Sequence, residues 1–190
     1  MSKKRVGLAL TGSFCTFEQS LEAAKTLIAE GWEVIPIFSE NAYSTDTRFG
    51  RAKEWVDTFE SLTGNKCIHN LVQAEPIGPH KLLDLILIAP CTGNTLAKLA
   101  YGITDTCVTM SAKSHLRNGG PVLLAVSTND ALGGSAKNIG MLLNYRNLYF
   151  VPMKQDAPDI KPRSVVSDFS RIPKAANAAL EGKQLQPIFL

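Results

Sequence analysis

The sequence lacks several features that often identify a function directly. Its four cysteines, Cys15, Cys67, Cys91 and Cys107, are widely spaced and form no C-x-x-C pair. This spacing argues against a zinc knuckle and against a secreted disulfide framework. The chain has no apolar run of membrane-spanning length and no signal-peptide core at its N-terminus. These absences predict a reduced, cytoplasmic protein that has no metal site and no membrane contact.

The sequence also has only a small excess of charge of one sign. The 190 residues carry a net charge of +3, and the 20 Lys and Arg residues are spread along the chain. The single basic run, Lys3-Lys4-Arg5, is typical of a solvated chain end and does not indicate a nucleic-acid-binding arm. With 45% apolar and 19% charged residues, the chain is expected to form one globular domain over residues 1–190.

Apolar segments alternate with helical patterns along the chain. Several of these segments are continuously apolar, as in parallel strands that are covered on both faces. The alternation predicts an α/β fold with three layers and a doubly wound, mainly parallel sheet. The predicted strands are Arg5–Leu10, Trp32–Phe38, Leu83–Ala89, Val122–Ser127 and Leu148–Val151, with a short sixth strand near Cys67–His69.

The ends of the predicted helices carry recognisable signals. Glycines such as Gly64 and Gly102 follow two of them, and Asp105 is placed to cap the fourth helix. Three prolines in Gln155–Ser164 predict an extended segment at about 152–170. A C-terminal helix is expected to begin near Pro173, because proline suits the first turn of a helix.

Three loops that follow predicted strands carry small polar residues. In open α/β sheets such loops hold the ligand. The first loop offers Gly12, which permits close backbone approach to a phosphate, and the Ser13 hydroxyl, although it lacks the G-x-G-x-x-G pattern of dinucleotide sites. In the second loop, Glu40 suits a ribose and Ser39 suits a phosphate. Arg48, farther on, belongs either to a solvated loop or to a substrate site.

The third loop is the most unusual. After a buried strand the chain reads Cys91-Thr92-Gly93-Asn94-Thr95, and Lys98 follows one helical turn later. A helix cap explains one such residue but not a succession of four.

This stretch, "APCTGNTLAKLAYGITD", resembles the P-A-S-A-N-T signature of the flavoprotein family, which includes flavin-containing cysteine decarboxylases and flavin prenyltransferases. The loop "TGSF" and the segment "STNDALG" continue the resemblance over most of the chain. It implies a Rossmann-like flavoprotein fold with FMN as cofactor, and it gives Asn94 contacts to flavin and to a substrate carboxylate, as the candidate catalytic residue. The implied cofactor-binding residues are Gly12, Ser13, Ser39, Thr92, Gly93, Asn94, Thr95 and Ser127.

"GLALTGSFCTFE", "STDTRFG", "AEPIGP", "STNDALG" and "QLQPI" together resemble the B-subunit family of bacterial dipicolinate synthase. This resemblance implies a dehydrogenase-like partner, which is the A subunit of that enzyme. It also implies a small dicarboxylic acid substrate and sporulation in a mother-cell cytosol, and the resemblance to the wider flavoprotein family implies a homo-oligomer. The substrate needs cationic partners, for which Arg48 and Lys98 are the first candidates, and Arg117 and Lys113 the next.

One departure from the family leaves the activity open. The decarboxylases carry a catalytic histidine eight residues before the aspartate that corresponds to Asp84, where this chain has Pro76. His80 is shifted by four positions and is expected to lie in a surface loop. Two alternatives to a flavin-binding oxidoreductase subunit therefore stand: a non-catalytic scaffold that stabilises the A subunit, and a flavin-dependent decarboxylase. Cys91 is expected to be a small buried thiol, with a redox role as the lesser alternative.

Overall fold

The sheet of the computed structural model, which describes residues 3–190, has seven strands. The first five run parallel in the order β2-β1-β3-β4-β5, and β6 and β7 add an antiparallel pair beside the end of β4. The strands are β1 Arg5–Leu10, β2 Glu33–Phe38, β3 Leu85–Cys91, β4 Val122–Thr128, β5 Leu148–Phe150, β6 Met153–Gln155 and β7 Val165–Ser167.

Helices cover both faces of this sheet. The first, third and eighth helices pack on one face around Phe17 and Phe59, and the fourth to seventh pack on the other around Leu96 and Val108. Because both faces are covered, every residue of β3 is buried. The helices are α1 Phe17–Ala29, α2 Glu40–Ser44, α3 Ala52–Thr63, α4 Leu71–Ala74, α5 Gly93–Ala100, α6 Cys107–Leu116, α7 Ala136–Leu142 and α8 Ile172–Leu180.

The strand order reverses between β1 and β3. Val6 of β1 pairs with Val34 of β2 on one side and with Leu85 of β3 on the other. The chain leaves β1 and β3 toward opposite faces of the sheet, and a crevice opens where the loops diverge. This is the position at which doubly wound sheets bind their ligands.

The predicted fold class, a three-layer, mainly parallel α/β sheet, is confirmed. One predicted cap is wrong: Thr106 caps α6 by accepting the Thr109 N–H at 3.1 Å, and Asp105 instead pairs with Lys98. The predicted short strand near Cys67–His69 is only a single bridge between Ile68 and β2.

The predicted extended segment folds back on itself. It forms β6 and β7, which are joined by a loop over residues 156–164, called the arm below. No helix of the described residues is long and apolar enough to cross a membrane.

Candidate functional site

Thr11 joins the loops after β1 and β3 at the point where the strand order reverses. Its hydroxyl donates to the Pro90 carbonyl at 2.7 Å and accepts the Thr92 N–H at 3.2 Å. The side chain is 2% exposed, so these bonds replace the ones that water would have made. Thr11 thereby fixes the spacing between the two loops that were predicted to hold the ligand.

A pocket of about 400 Å³ lies on one side of this junction, between the ends of β1, β2 and β3. It is called the inner pocket below. It brings together loops that lie more than 80 residues apart in the chain. The predicted site residues that line it are Gly12, Ser39, Thr92, Asn94, Thr95 and Lys98.

The inner pocket offers hydrogen-bond donors that nothing else uses. The backbone N–H groups of Gly12, Asn41 and Asn94 have no hydrogen-bond partner among residues 3–190. The Ser39 hydroxyl accepts the Ala42 N–H at 3.2 Å, which leaves its own proton available. Asn94 stands in the first turn of α5, where the helix dipole adds partial positive charge. Such a donor set suits an anion.

The one lysine of the inner pocket is already paired with an aspartate, and the Glu40 carboxylate has no cationic partner among residues 3–190. Lys98 lies 2.7 Å and 2.9 Å from the two carboxylate oxygens of Asp105, and this contact holds the pKa of Asp105 below its ordinary range. The Glu40 carboxylate accepts the Cys107 N–H at 3.0 Å. An anion bound here would therefore be held by neutral dipoles more than by a free cation.

A larger cleft of about 710 Å³, called the outer cleft below, opens on the other side of the junction. Gly12 and Thr92 line both spaces, so the outer cleft and the inner pocket adjoin each other. The Ser13 and Ser127 hydroxyls lie 2.8 Å apart and join the loops after β1 and β4. Opposite them the arm brings Lys161 to the cleft wall.

Two aromatic residues of the outer cleft were not singled out in the sequence. Phe14 follows the first loop, and Phe49 belongs to the loop after α2. Nothing in the local sequence distinguishes them from core residues, since each lies next to ordinary apolar or turn positions. Their rings give the cleft apolar walls, which suit the flat face of an aromatic ligand.

Gly93 lines neither space, although it was predicted to bind cofactor. A Cβ at this position would stand 2.6 Å from Ser135 Oγ and 2.8 Å from Asp130 Oδ1. The Thr128 hydroxyl, 2.6 Å from Asp130, and the Ser135 hydroxyl hold the pKa of that carboxyl below its ordinary range. The glycine therefore lets the loop after β4 pack tightly against the start of α5.

The two predicted substrate cations do not share a pocket. Lys98 lines the inner pocket, whereas the Arg48 guanidinium lies 4.8 Å over the ring of Phe49, a residue of the outer cleft. Arg48 itself lines neither space.

The histidines and Cys91 were the candidate reactive groups of the sequence. Among the described residues, no histidine lines the inner pocket or the outer cleft, and His80 is exposed on the surface. Cys91 is completely buried, and burial raises the pKa of its thiol far above the ordinary value. Cys91 is therefore a small apolar packing residue in this structure.

Comparisons with known proteins agree with this architecture. Residues 1–153 match the family model described as Flavoprotein. The chain is 46% identical over 187 residues to the B subunit of dipicolinate synthase from Bacillus subtilis, covering 98% of this chain and 94% of the relative. The crystal structure of the dipicolinate synthase B subunit from Bacillus halodurans C superposes with a TM-score of 0.90 at 42% identity, covering 98% and 96% of the two chains.

A more distant structure shares the fold alone. Burkholderia xenovorans DmrB in complex with FMN, described as a cubic protein cage for redox transfer, superposes with a TM-score of 0.65. Its identity is 18%, and the match covers 84% of this chain and 92% of that one.

Proposed function

The chain belongs to the flavoprotein family and, within it, to the group of dipicolinate synthase B subunits, and we propose that it binds flavin mononucleotide and acts with a dehydrogenase-like A subunit to form dipicolinic acid. The observation that carries the proposal is the set of unpartnered N–H donors on Gly12, Asn41 and Asn94, which all border the inner pocket.

The residues present fit an FMN phosphate in the inner pocket. The Gly12 backbone is open, because a Cβ there would have only Phe14 within 4 Å, at 3.8 Å. The three N–H donors and the Ser39 hydroxyl can each give a hydrogen bond to a phosphate oxygen. Two carboxylates, those of Glu40 and Asp105, also border the pocket, but each is turned to a partner of its own.

The outer cleft fits the flavin ring. Its aromatic walls, Phe14 and Phe49, can cover an apolar ring face, and the hydroxyls of Thr92 and Ser127 can meet the polar edge. Gly12 and Thr92 border both spaces, so one elongated ligand can reach from the inner pocket to the cleft.

FMN, when bound, supplies a two-electron acceptor, and conversion of a cyclic dicarboxylic acid to an aromatic pyridine requires such an acceptor. The task of this chain is then to place the substrate. The Asn94 side chain is exposed at the inner-pocket mouth and makes no hydrogen bond within residues 3–190, so its amide can orient a carboxylate. Arg48 beside the outer cleft is the proposed cationic partner of the substrate, and Lys98 in the inner pocket can become a second one when its contact with Asp105 opens.

Titration of the purified chain with FMN tests the binding step. We expect quenching of flavin fluorescence that saturates at one FMN per chain, and visible flavin absorption that stays with the protein through gel filtration. The activity test adds the A subunit of the same organism and follows dipicolinic acid formation. Asn94→Ala should lower that activity while leaving FMN binding within a fewfold of the unaltered chain.

A non-catalytic scaffold that stabilises the A subunit is the second candidate function. The observation that favours it is the absence of any histidine from the lining of both spaces in residues 3–190. A complex that forms dipicolinic acid equally well without FMN and with Asn94→Ala would support the scaffold. Flavin-dependent release of carbon dioxide by the chain alone would instead support a decarboxylase.

We also propose that the chain forms a homo-oligomer and works in the mother-cell cytosol of a spore-forming bacterium. Support for assembly comes from the cage described for the fold relative DmrB, and light scattering of the purified chain tests it.

A further inference from the structure

A third pocket lies at the end of α5, beside α6 and the chain after α7, and Lys98 is the one residue that its lining shares with the inner pocket. Its volume is about 580 Å³, and it is called the basic apolar surface below. Leu99, Ile103, Leu116 and Tyr145 form its apolar lining. The Tyr145 hydroxyl donates to the Ala100 carbonyl at 2.7 Å, so the chain after α7 is fixed to the end of α5.

Besides Lys98, which is paired with Asp105, three cations surround this apolar lining. Lys113 and Arg117 stand four residues apart on α6 and its C-terminal cap, and Arg146 follows α7. All three are exposed, and none forms an ion pair within residues 3–190. Lys113 and Arg117 were predicted as further substrate cations, but they line neither the inner pocket nor the outer cleft.

Acidic groups do not balance these cations. The stretch from residue 99 to 146 contains two acidic residues, Asp105 and Asp130. Asp105 is bound to Lys98, and Asp130 accepts hydrogen bonds from Thr128 and Ser135. No acidic residue lines the basic apolar surface, so Lys113, Arg117 and Arg146 border its apolar centre without a carboxylate among them.

The exposed apolar side chains indicate a protein partner and not a small molecule. Ile103 is 47% exposed and Tyr145 is 42% exposed, and Tyr101 beside them is 57% exposed. A small-molecule pocket encloses most of its ligand and its apolar walls, whereas these side chains project into solvent. Clustered exposed apolar residues in a polar surround are typical of a protein interface.

We propose that the basic apolar surface docks another protein chain through an apolar or aromatic anchor side chain flanked by carboxylates. Pairing of the surface with itself across a two-fold axis would bring Lys113, Arg117 and Arg146 against their own copies, and like charges oppose such a contact. The inference rests on the proposed function for the identity of the partner, which is the A subunit.

Binding of the unaltered full chain to the purified A subunit, measured by calorimetry at low and moderate salt, tests the inference. Lys113→Glu combined with Arg117→Glu should weaken the complex at least about tenfold and reduce its salt dependence, because the lost attraction is electrostatic. Ile103→Ser, which keeps every charge, should weaken it by a similar factor through loss of the anchor contact. The control, Lys154→Glu with Lys174→Glu, reverses two exposed cations away from this surface and should bind as the unaltered chain does.

Three other outcomes would overturn the docking surface, the partnership with the A subunit, or both. If the unaltered chain forms a complex with the A subunit, and the Lys113→Glu/Arg117→Glu variant binds within twofold of it, the docking surface is wrong and the partnership stands. If the variant changes the oligomeric state of the chain alone in light scattering, the surface belongs to a contact between copies and the inference fails. If the unaltered chain forms no complex with the A subunit, the proposed partnership fails and the inference fails with it.

Discussion

The Ser13 hydroxyl lies 2.8 Å from the Ser127 hydroxyl, across 114 residues of sequence, and this contact joins the loops after β1 and β4 at the floor of the outer cleft. Each hydroxyl was predicted separately to bind cofactor. Their contact means that a ligand in the cleft meets a linked pair, in which one hydroxyl can donate while the other accepts.

Removal of two site hydroxyls should weaken FMN binding. We expect Ser13→Ala with Thr92→Ala to reduce affinity by about 1–3 kcal/mol, because each hydroxyl can hydrogen-bond the ligand. Fluorescence titration with FMN measures this loss. Thr58→Ala, on the exposed surface of α3, is the matched control.

The Thr92 hydroxyl also caps α5 by accepting the Thr95 N–H at 3.3 Å. Its loss therefore lowers folding stability by about 1 kcal/mol in addition. Thr92→Ser keeps the hydroxyl and should restore both affinity and stability, and denaturant unfolding of the alanine variant measures the loss of the cap apart from the loss of FMN affinity. Unchanged FMN affinity in the double alanine variant would remove both residues from the proposed site.

Asp105→Asn should strengthen anion binding in the inner pocket. The substitution releases the Lys98 ammonium, which Asp105 now holds at 2.7 Å, and the freed cation can reach an anion that borders the same pocket. Phosphate or FMN titration at low salt should show affinity raised severalfold. Asp57→Asn, which releases Lys53 on α3 instead, should leave the affinity unaltered, and equal gains from both variants would contradict a local effect.

Gly93→Ala should destabilise the chain. The new Cβ would stand 2.6 Å from Ser135 Oγ and 2.8 Å from Asp130 Oδ1, so the loop after β4 must shift, at a cost of about 1–3 kcal/mol. Gly140→Ala on α7 is the matched control, since its Cβ meets nothing within 4 Å and alanine gains up to about 1 kcal/mol in a helix. Thermal and denaturant unfolding measure the stability of both variants. A Gly93→Ala variant as stable as the unaltered chain would show that the loop after β4 shifts at no cost.

Acid should destabilise the chain through His115. The side chain is 5% exposed, its Nε2 has no hydrogen-bond partner, and burial lowers the pKa of the imidazole. Because the unfolded chain binds this proton more readily, the free energy of unfolding should fall as pH drops below the ordinary histidine pKa of about 6.5.

His115→Gln should flatten that fall between neutral pH and the lowered pKa, even if the variant is less stable at every pH. His80→Gln, at an exposed position, should keep the full pH dependence. Denaturant unfolding across the pH range measures the slopes, and parallel slopes for all three chains would exclude His115 as the cause.

The sequence by itself determined the layered fold. Continuous apolar runs identified β1 to β5 because a parallel strand is buried on both faces, and glycines such as Gly64 marked helix ends through their left-handed conformation. It also indicated three loops of the site, since small hydroxyl and amide residues after buried strands have few purely structural explanations. It did not separate a cap at Thr106 from one at Asp105, because aspartate and threonine are both favoured N-cap residues and the two are adjacent in the chain.

Only the tertiary structure decided how those loops combine. The junction of Thr11 with Pro90 and Thr92 spans about 80 residues and depends on the register of β1 against β3, which no local pattern encodes. From the sequence, Lys98 was predicted to be a substrate cation, but in the folded chain it is paired with Asp105. The arm brings Lys161 to the outer cleft from far along the chain. Local propensity acts over a few residues, whereas a binding site is fixed by contacts between residues that only the packed sheet makes neighbours.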